Sequence, residues 1–278
     1  MDLFCLRRFH VALFVDFSII HTVDDCEDEV RGLTSLSKKL DVFRDVSSDQ
    51  VDVYDMNSNY RLMRRHLSVP GSNVWDMTSN TVDRCLFMSE FVDKKVFKVT
   101  IAGDLTEYDV GDLEPRGLSM MTNGNLLVSC RNHTKLVELD DDGICAMHSI
   151  DSDEWIPHLW HAVQMSNGDF VVCHGSGPHL HRVCIIDRFG SIERTFWGLS
   201  GSGEDELNVP CHLAVDENDF IFVADCLNKR VTLLSPMLSF IRHVKSEMAS
   251  RPQRLYLDRD TKRLYVGQRD GDVIVIQL

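Results

Sequence analysis

Short apolar runs separated by polar residues recur along the chain. The stretch from Leu207 to Pro236 contains three of them, LAV (213–215), FIFVA (220–224) and VTLL (231–234). Each run is followed within a few residues by Asp, Asn or Lys, and each is too short for a buried helix. The pattern therefore predicts three consecutive antiparallel strands within about thirty residues.

The same pattern occurs in five other places. Each copy begins with a Pro or with another residue in the place of the Pro. A first strand, a polar turn, a second apolar strand and a third strand follow. The copies span 29–56, 73–100, 114–140, 158–187 and 251–278. Two copies carry Asn-Gly between the first two strands, at Asn123-Gly124 and Asn167-Gly168. Asn-Gly favours a two-residue type I′ hairpin turn, in which both central residues have positive φ.

The spacing of the copies predicts a β-propeller. The residue two after the Pro, here called the anchor, recurs every 41 to 51 residues. The anchors are Gly32, Asp76, Gly117, His161, His212 and Arg254. Room for a fourth strand follows most copies, and four strands repeated every 40–45 residues or so are typical of propeller blades. We therefore predict an all-β, six-bladed β-propeller of four-stranded antiparallel blades.

The last copy ends at Leu278 with only three strands, which would leave an unpaired edge. The N-terminal segment FSIIHTV (17–23) has strand composition, so we predict that it adds the fourth strand and closes the ring. Residues 16–278 then form the propeller. Residues 1–15 are expected to be a poorly ordered N-terminal extension.

Composition narrows the functional classes. Hydrophobic residues make up 44% of the 278 residues, which excludes general disorder. The longest apolar runs are far shorter than the ~18 residues of a membrane span. The net charge of −14 argues against a nucleic-acid partner, because such proteins need a basic surface. The basic run RLMRRH (61–66) is interpreted as the solvated side of an outer strand.

Nine cysteines are present without any C-x-x-C pair, which favours reduced thiols and a cytoplasmic location. The alternative is a degenerate secretory signal, since two arginines precede an apolar patch at the N-terminus. We expect a monomer that is not associated with a membrane.

The repeats also resemble a known family. The segment GSGEDELNVPCHLAVDENDFIFVADCLNKRVTLLSP (201–236) is similar to an NHL repeat, with upstream glycines, a Pro before the first strand, Val-Ala-Asp at the end of the second strand, and then Asn-Lys-Arg-Val. Other copies replace Val-Ala-Asp by Met-Ser-Glu, Val-Ser-Cys, Val-Cys-His or Tyr-Val-Gly. The resemblance to the NHL domains of tripartite-motif proteins implies a propeller that selects a partner.

Candidate site residues follow from this alignment. The anchors and the ends of the second strands should share one face around the central channel. The second set begins at Asp45, Glu90, Cys130, His174, Asp225 and Gly267. Aromatic and Arg side chains are enriched at binding hot spots. The predicted partner-binding residues are Trp75, Asp76, Trp160, His161, His174, His212, Asp225 and Arg254.

A metal centre is the alternative for the same region. His161, His174 and His212 could hold zinc, with Asp225 nearby, and calcium is the other candidate ion. The peptidylglycine-amidating lyase, a propeller with histidines around a central metal, is similar in kind. That resemblance covers only His161 and His212. It implies a metal-dependent lyase or hydrolase. The favoured function is instead a scaffold that binds a protein or peptide and needs no cofactor.

Overall fold

A computed structural model describes residues 19–23, 29–36, 39–44, 51–56, 61–64, 73–131, 133–150, 158–176, 180–196, 200–245 and 247–278. The predicted N-terminal extension, residues 1–15, lies outside these ranges. The regular secondary structure of the described residues is made of strands and one short 3-10 helix at Cys226–Asn228.

The strands follow one another in groups of four. A first strand, β1 (Ile19–Val23), precedes the groups. The first group is β2 (Val30–Leu36), β3 (Lys39–Arg44), β4 (Val51–Asp55) and β5 (Arg61–Arg64). The second is β6 (Val74–Asn80), β7 (Cys85–Glu90), β8 (Lys95–Thr100) and β9 (Leu105–Asp109). The third is β10 (Pro115–Met120), β11 (Leu126–Cys130), β12 (Lys135–Asp140) and β13 (Gly143–Ser149).

Two further groups and a shorter one complete the chain. The fourth is β14 (Leu159–Gln164), β15 (Phe170–His174), β16 (Arg182–Ile186) and β17 (Ile192–Phe196). The fifth is β18 (Pro210–Val215), β19 (Ile221–Asp225), β20 (Arg230–Leu234) and β21 (Phe240–Lys245). The last strands are β22 (Pro252–Asp258), β23 (Arg263–Gln268) and β24 (Val273–Gln277).

The predicted count of six blades needs correction. Five blades, not six, are built from one continuous stretch of chain, and each is a four-stranded antiparallel sheet. The remaining sheet is composite, with the order β1-β24-β23-β22, because the sixth repeat stops after three strands. The innermost strands β2, β6, β10, β14, β18 and β22 contact one another in turn, and β22 contacts β2. The chain is therefore a closed propeller of five continuous blades and one composite closing sheet.

The composite sheet joins the two ends of the described chain. Ile19 lies opposite Ile276, and Val23 lies opposite Val273, in an antiparallel pair. The pairing that the segment 17–23 was predicted to make is thus present. It covers the edge of β24, which would otherwise be open to pairing with another chain.

Burial follows the position of each strand within its sheet. The second strands β7, β11, β15 and β19 are buried along their whole length. The outer strand β13 has no buried residue. Each sheet packs between two neighbours, so its middle strands bury both faces. Leu127 of β11 and Phe170 of β15, for example, belong to one hydrophobic cluster between adjacent sheets.

The Asn-Gly hairpins lie where they were predicted, but their turn type differs. Met121 N donates to Asn125 O at 2.9 Å, which closes a three-residue loop over 122–124. Gly124 has φ +91°, whereas Asn123 is not among the residues with positive φ. A type I turn followed by a glycine in the left-handed region fits this geometry, so the prediction of type I′ turns was wrong. The loop at Asn167-Gly168 has the same hydrogen bonds.

No helix of the described residues is both long and apolar enough to cross a membrane. The seven cysteines in the described ranges are free thiols.

Candidate functional site

All six innermost strands carry a β-bulge near their first residue. The register shifts lie between Val30 and Gly32 in the first blade and at the matching place in every other sheet. The residues at the bulges that directly precede the anchors are Arg31, Trp75, Arg116, Trp160, Cys211 and Gln253. Bulges re-aim side chains and are common next to functional sites. The repeat therefore places one bulge residue per sheet at the same end of the innermost strands, directly before each anchor.

Behind the bulges, three of the anchors converge on the carboxylate of a fourth anchor, Asp76. Asp76 Oδ1 lies 3.0 Å from Arg254 Nε, and Asp76 Oδ2 lies 3.4 Å from His212 Nε2 and 3.8 Å from His161 Nε2. Asp76 also accepts the backbone N–H groups of Met77 and Leu118, each at 2.9 Å. Each of the four anchors is at most 6% exposed. They form a buried plug across the channel.

The two other anchors are glycines, and one of them is required by close packing. A Cβ at Gly117 would lie 2.5 Å from the Trp160 carbonyl oxygen and 2.7 Å from both His161 Cδ2 and Ser129 Oγ. Any larger side chain would therefore force the Trp160 backbone, His161 or Ser129 to shift.

The hydrogen bonds of the plug determine which nitrogen of each imidazole carries the proton. His212 Nδ1 faces the Leu255 N–H at 3.4 Å, so it accepts, and His212 Nε2 carries the hydrogen that faces Asp76. His161 Nε2 lies 3.1 Å from the Leu118 carbonyl oxygen, so it donates there. The two rings stack with centroids 3.7 Å apart. Both imidazoles thus carry a hydrogen on Nε2 in this arrangement.

The pKa values of the plug agree with these protonation states. Burial alone would raise the pKa of Asp76, but Arg254 and then His212 outweigh burial and lower it from 3.8 to about 2. Burial, with His212 second, lowers the pKa of His161 from 6.5 to about 3. Burial also lowers the pKa of His212, against the opposing effect of Asp76. At neutral pH the plug therefore contains one carboxylate, one guanidinium and two neutral imidazoles.

A metal could reach three of these groups, although the plug is already balanced without one. One ligand atom each from Asp76, His161 and His212 lies within 4.8 Å of the others. Zinc accepts such a donor set, whereas calcium prefers six to eight oxygens. Metal at the Nε2 atoms would require both imidazoles to shift their protons to Nδ1, and His212 Nδ1 faces an N–H donor. Arg254 already supplies a positive charge to Asp76.

His174 is not brought into this group. Its Nε2 atom lies 3.6 Å from Cys184 Sγ within its own blade, and burial lowers the pKa of His174 to about 4. Asp76 takes the place expected for a third imidazole.

Asp225 has a structural role in its blade. It accepts hydrogen bonds from Asn208 N at 2.6 Å, Asn228 Nδ2 at 2.8 Å and Arg230 Nε at 2.7 Å. Arg230 also donates to three carbonyl oxygens of the preceding loop, those of Ser202, Gly203 and Glu206. These bonds hold the loop 201–207 against the blade.

Most of the predicted partner-binding residues are therefore buried. The buried ones are Asp76, His161, His174, His212, Asp225 and Arg254. Trp75 and Trp160 are partly exposed. The starts of the innermost strands and the ends of the second strands do share one face, as predicted, since Val74 lies opposite Glu90 and Leu159 opposite His174. In the sixth repeat the second strand ends at Gln268 rather than Gly267, and Asp45 lies outside the described residues.

The bulge residues of four consecutive sheets pack against one another in a row, which we call the Arg–Trp patch: Arg31, Trp75, Arg116 and Trp160. The Arg116 Cζ atom lies 4.2 Å from the Trp75 ring centroid and 3.8 Å from that of Trp160. The two indole rings are 6.0 Å apart. The Arg31 Cζ atom lies 4.5 Å from the Trp75 ring centroid. Cation–π contacts of this kind contribute roughly 0.5–2 kcal/mol each.

Sequence reasoning identified the two tryptophans of this patch and missed Arg31 and Arg116. The signal that could have found them is positional, because both arginines directly precede an anchor, as Trp75 and Trp160 do. The four residues occupy the same position in successive repeats.

Fold and site together define a β-propeller with a plugged channel and an aromatic–cationic patch at one mouth. No family model and no curated protein matches the chain. Solved structures do match. Virginiamycin B lyase from Staphylococcus aureus has a TM-score of 0.67 at 13% identity, covering 94% of this chain and 99% of its own. The WD40 propeller domain of Doa1 has a TM-score of 0.66 at 13% identity, covering 95% and 97%.

A streptogramin B lyase structure is also similar, with a TM-score of 0.63 at 12% identity, covering 93% and 96%. At such identities the similarity establishes the propeller fold alone. Lyases and a WD40 domain share this fold, so the fold does not select a function.

Proposed function

We propose that this chain is an NHL-type propeller that binds a protein or peptide through the face around the channel mouth. The observation that supports it is the Arg–Trp patch. Tryptophan and arginine are the residue types most enriched at binding hot spots. Four of them lie side by side at one mouth of the channel, and three are partly exposed.

The buried side chains inside the channel support binding at the mouth rather than within the channel. Asp76, His161, His212 and Arg254 are buried and contact one another across the channel behind this mouth. A partner at this mouth would therefore contact the rim of bulge residues and would not pass through the ring. The expected monomeric state and cytoplasmic location stay predictions.

A selection experiment tests this proposal. A displayed library of random twelve-residue peptides would be selected on the purified chain, and enriched peptides would be measured by fluorescence anisotropy. We expect Trp160→Ala to weaken binding at least tenfold, about 1.4 kcal/mol, because a hot-spot side chain is removed. Phe189→Ala is the matched control, since Phe189 is 73% exposed in the turn between β16 and β17 at the other end of the strands.

Circular dichroism would show that both variants are folded. The proposal fails if no peptide is enriched, or if the enriched peptides bind the Trp160→Ala variant as tightly as the original chain.

A metal-dependent lyase or hydrolase is the second candidate, supported by the spacing of Asp76, His161 and His212. Metal analysis of the purified chain separates the two. Near-stoichiometric zinc that is lost in the His161→Ala, His212→Ala double variant, without unfolding, would favour the enzyme. Metal-free protein that binds peptides would favour the scaffold.

A further inference from the structure

The charge of Arg116 is not balanced by the described part of the chain. The residue is 7% exposed, and its Nη1 atom is buried without a hydrogen-bond partner among the described residues. The neighbouring guanidiniums have carboxylates, since Arg31 pairs with Glu29 at 2.8 Å and Arg254 with Asp76 at 3.0 Å. Burial of an unpaired guanidinium is costly, so this position is set up to receive an anion.

The surroundings hold this guanidinium in place. Arg116 lies against the rings of Trp75 and Trp160. Trp160 Nε1 donates to the Gly175 carbonyl oxygen at 2.8 Å, and Trp75 packs edge-on against Phe91. The Arg116 side chain therefore loses little conformational entropy when a ligand binds, which favours affinity.

The local field is positive. Burial, followed by the charges of Arg131 and Arg254, lowers the pKa of Arg116 from 12.5 to about 9. The group is still protonated at neutral pH. An anion placed here would relieve repulsion among these guanidiniums.

The space beside Arg116 is small and partly apolar. A cavity of about 30 Å³ is lined by Trp75, Phe91, Glu114, Pro115, Arg116 and Arg131. Glu114 is 4.0 Å from Arg131, so its charge is partly matched. A volume of this size admits a group such as a carboxylate. A guanidinium binds a carboxylate through two parallel N–H···O bonds.

We infer that the channel mouth takes an acidic peptide, with one Asp or Glu side chain of the partner on Arg116 and its flanking residues on the two indole rings. This inference rests on the proposed function and adds the chemistry of the partner. A long polyanion such as RNA fits less well, because it would also meet the surrounding surface of a chain with net charge −14.

The test uses two arrays of capped twelve-residue peptides with randomised flanks. One array has Glu at the central position, and the matched array has Gln there. The labelled full chain is expected to bind the Glu array at least tenfold more strongly. Arg116→Gln should abolish this preference, and Arg116→Lys should keep only part of it, because lysine lacks the fork geometry.

Arg188→Gln is the matched control. Arg188 is exposed and also lies against an aromatic ring, that of Phe189 at 4.9 Å. It should leave the preference for Glu unchanged. Circular dichroism again verifies folding.

The outcomes separate the two proposals. If peptides bind in a Trp160-dependent way but equally on both arrays, the acidic-peptide inference is overturned and the proposed function stands. A preference for Glu that survives in Arg116→Gln also overturns it. If neither array binds, both proposals fail. Tighter binding of an oligouridine probe than of any peptide, lost in Arg116→Gln, would assign the patch to RNA instead.

Discussion

Acid should destabilise this propeller through its buried imidazoles, and His161 allows the effect to be worked out. Its pKa is about 3 in the folded chain, mainly because of burial, against an ordinary value of 6.5. Between these two values the unfolded chain binds a proton that the folded chain does not. Stability from this residue is therefore fully present above pH 6.5 and falls as the pH drops towards 3.

The magnitude follows from the two pKa values. Each pH unit below 6.5 costs about 1.4 kcal/mol until the folded pKa is approached. Going from pH 7 to pH 5 should thus reduce the free energy of unfolding by roughly 2 kcal/mol through His161 alone. Asp76 does not contribute in this window, because its pKa changes only between 3.8 and about 2.

The assay is urea unfolding at pH 7 and pH 5 for the original chain and for His161→Gln. Glutamine can still donate to the Leu118 carbonyl oxygen that accepts from His161. The variant should lose roughly 2 kcal/mol less between the two pH values. His133→Gln is the control, because His133 is exposed, and it should follow the original chain. Equal pH dependence of His161→Gln and the original chain would refute the reasoning.

Three further predictions concern the fold. Asp76→Asn should cost roughly 3–5 kcal/mol in urea unfolding, because it leaves Arg254 buried without a carboxylate. Adding Arg254→Gln should recover part of that loss, and additive losses would contradict the pairing. Gly117→Ala should cost roughly 1–3 kcal/mol and alter tryptophan emission, since its Cβ would lie 2.5 Å from the Trp160 carbonyl oxygen; an unchanged Tm would count against this packing. A chain that starts at residue 24 lacks β1 and its four residue pairs with β24, each worth roughly 0.2–1 kcal/mol. Its Tm should fall and size-exclusion chromatography should show self-association, whereas a monomer of unchanged Tm would argue against closure by β1.

The strand pattern was predictable because it depends on local sequence. A second strand such as Ile221–Asp225 is apolar throughout because it lies between two packed sheets. The anchors could also be aligned from local sequence, because each lies at the same place near the start of the first strand of its repeat. The turn type at Asn123-Gly124 was not predictable in the same way, because glycine in the left-handed region suits both two-residue and three-residue hairpin loops.

Burial at the channel centre could not be inferred from the alignment. His161 and His212 come from different blades, and their 3.7 Å stacking depends on how innermost strands tilt around the ring. The bulge adds a residue before each anchor and turns adjacent side chains to different sides. A repeat alignment shows that Trp75 and Asp76 are neighbours, but only the bulge places one at the mouth and the other in the plug.

Net charge was also a poor guide to the chemistry of the mouth. The chain carries −14 overall, yet the guanidiniums of Arg31, Arg116 and Arg254 all lie within 6 Å of the Trp75 ring. Solvent-exposed charges farther away than about 8 Å are largely screened at physiological salt. A carboxylate close to this ring would therefore interact mainly with the nearby arginines. A partner spread over the outer surface would instead meet the acidic side chains that give the chain its negative net charge. If the proposed binding of an acidic peptide holds, this difference in range would let the chain bind a single acidic side chain at the mouth and still repel a polyanion.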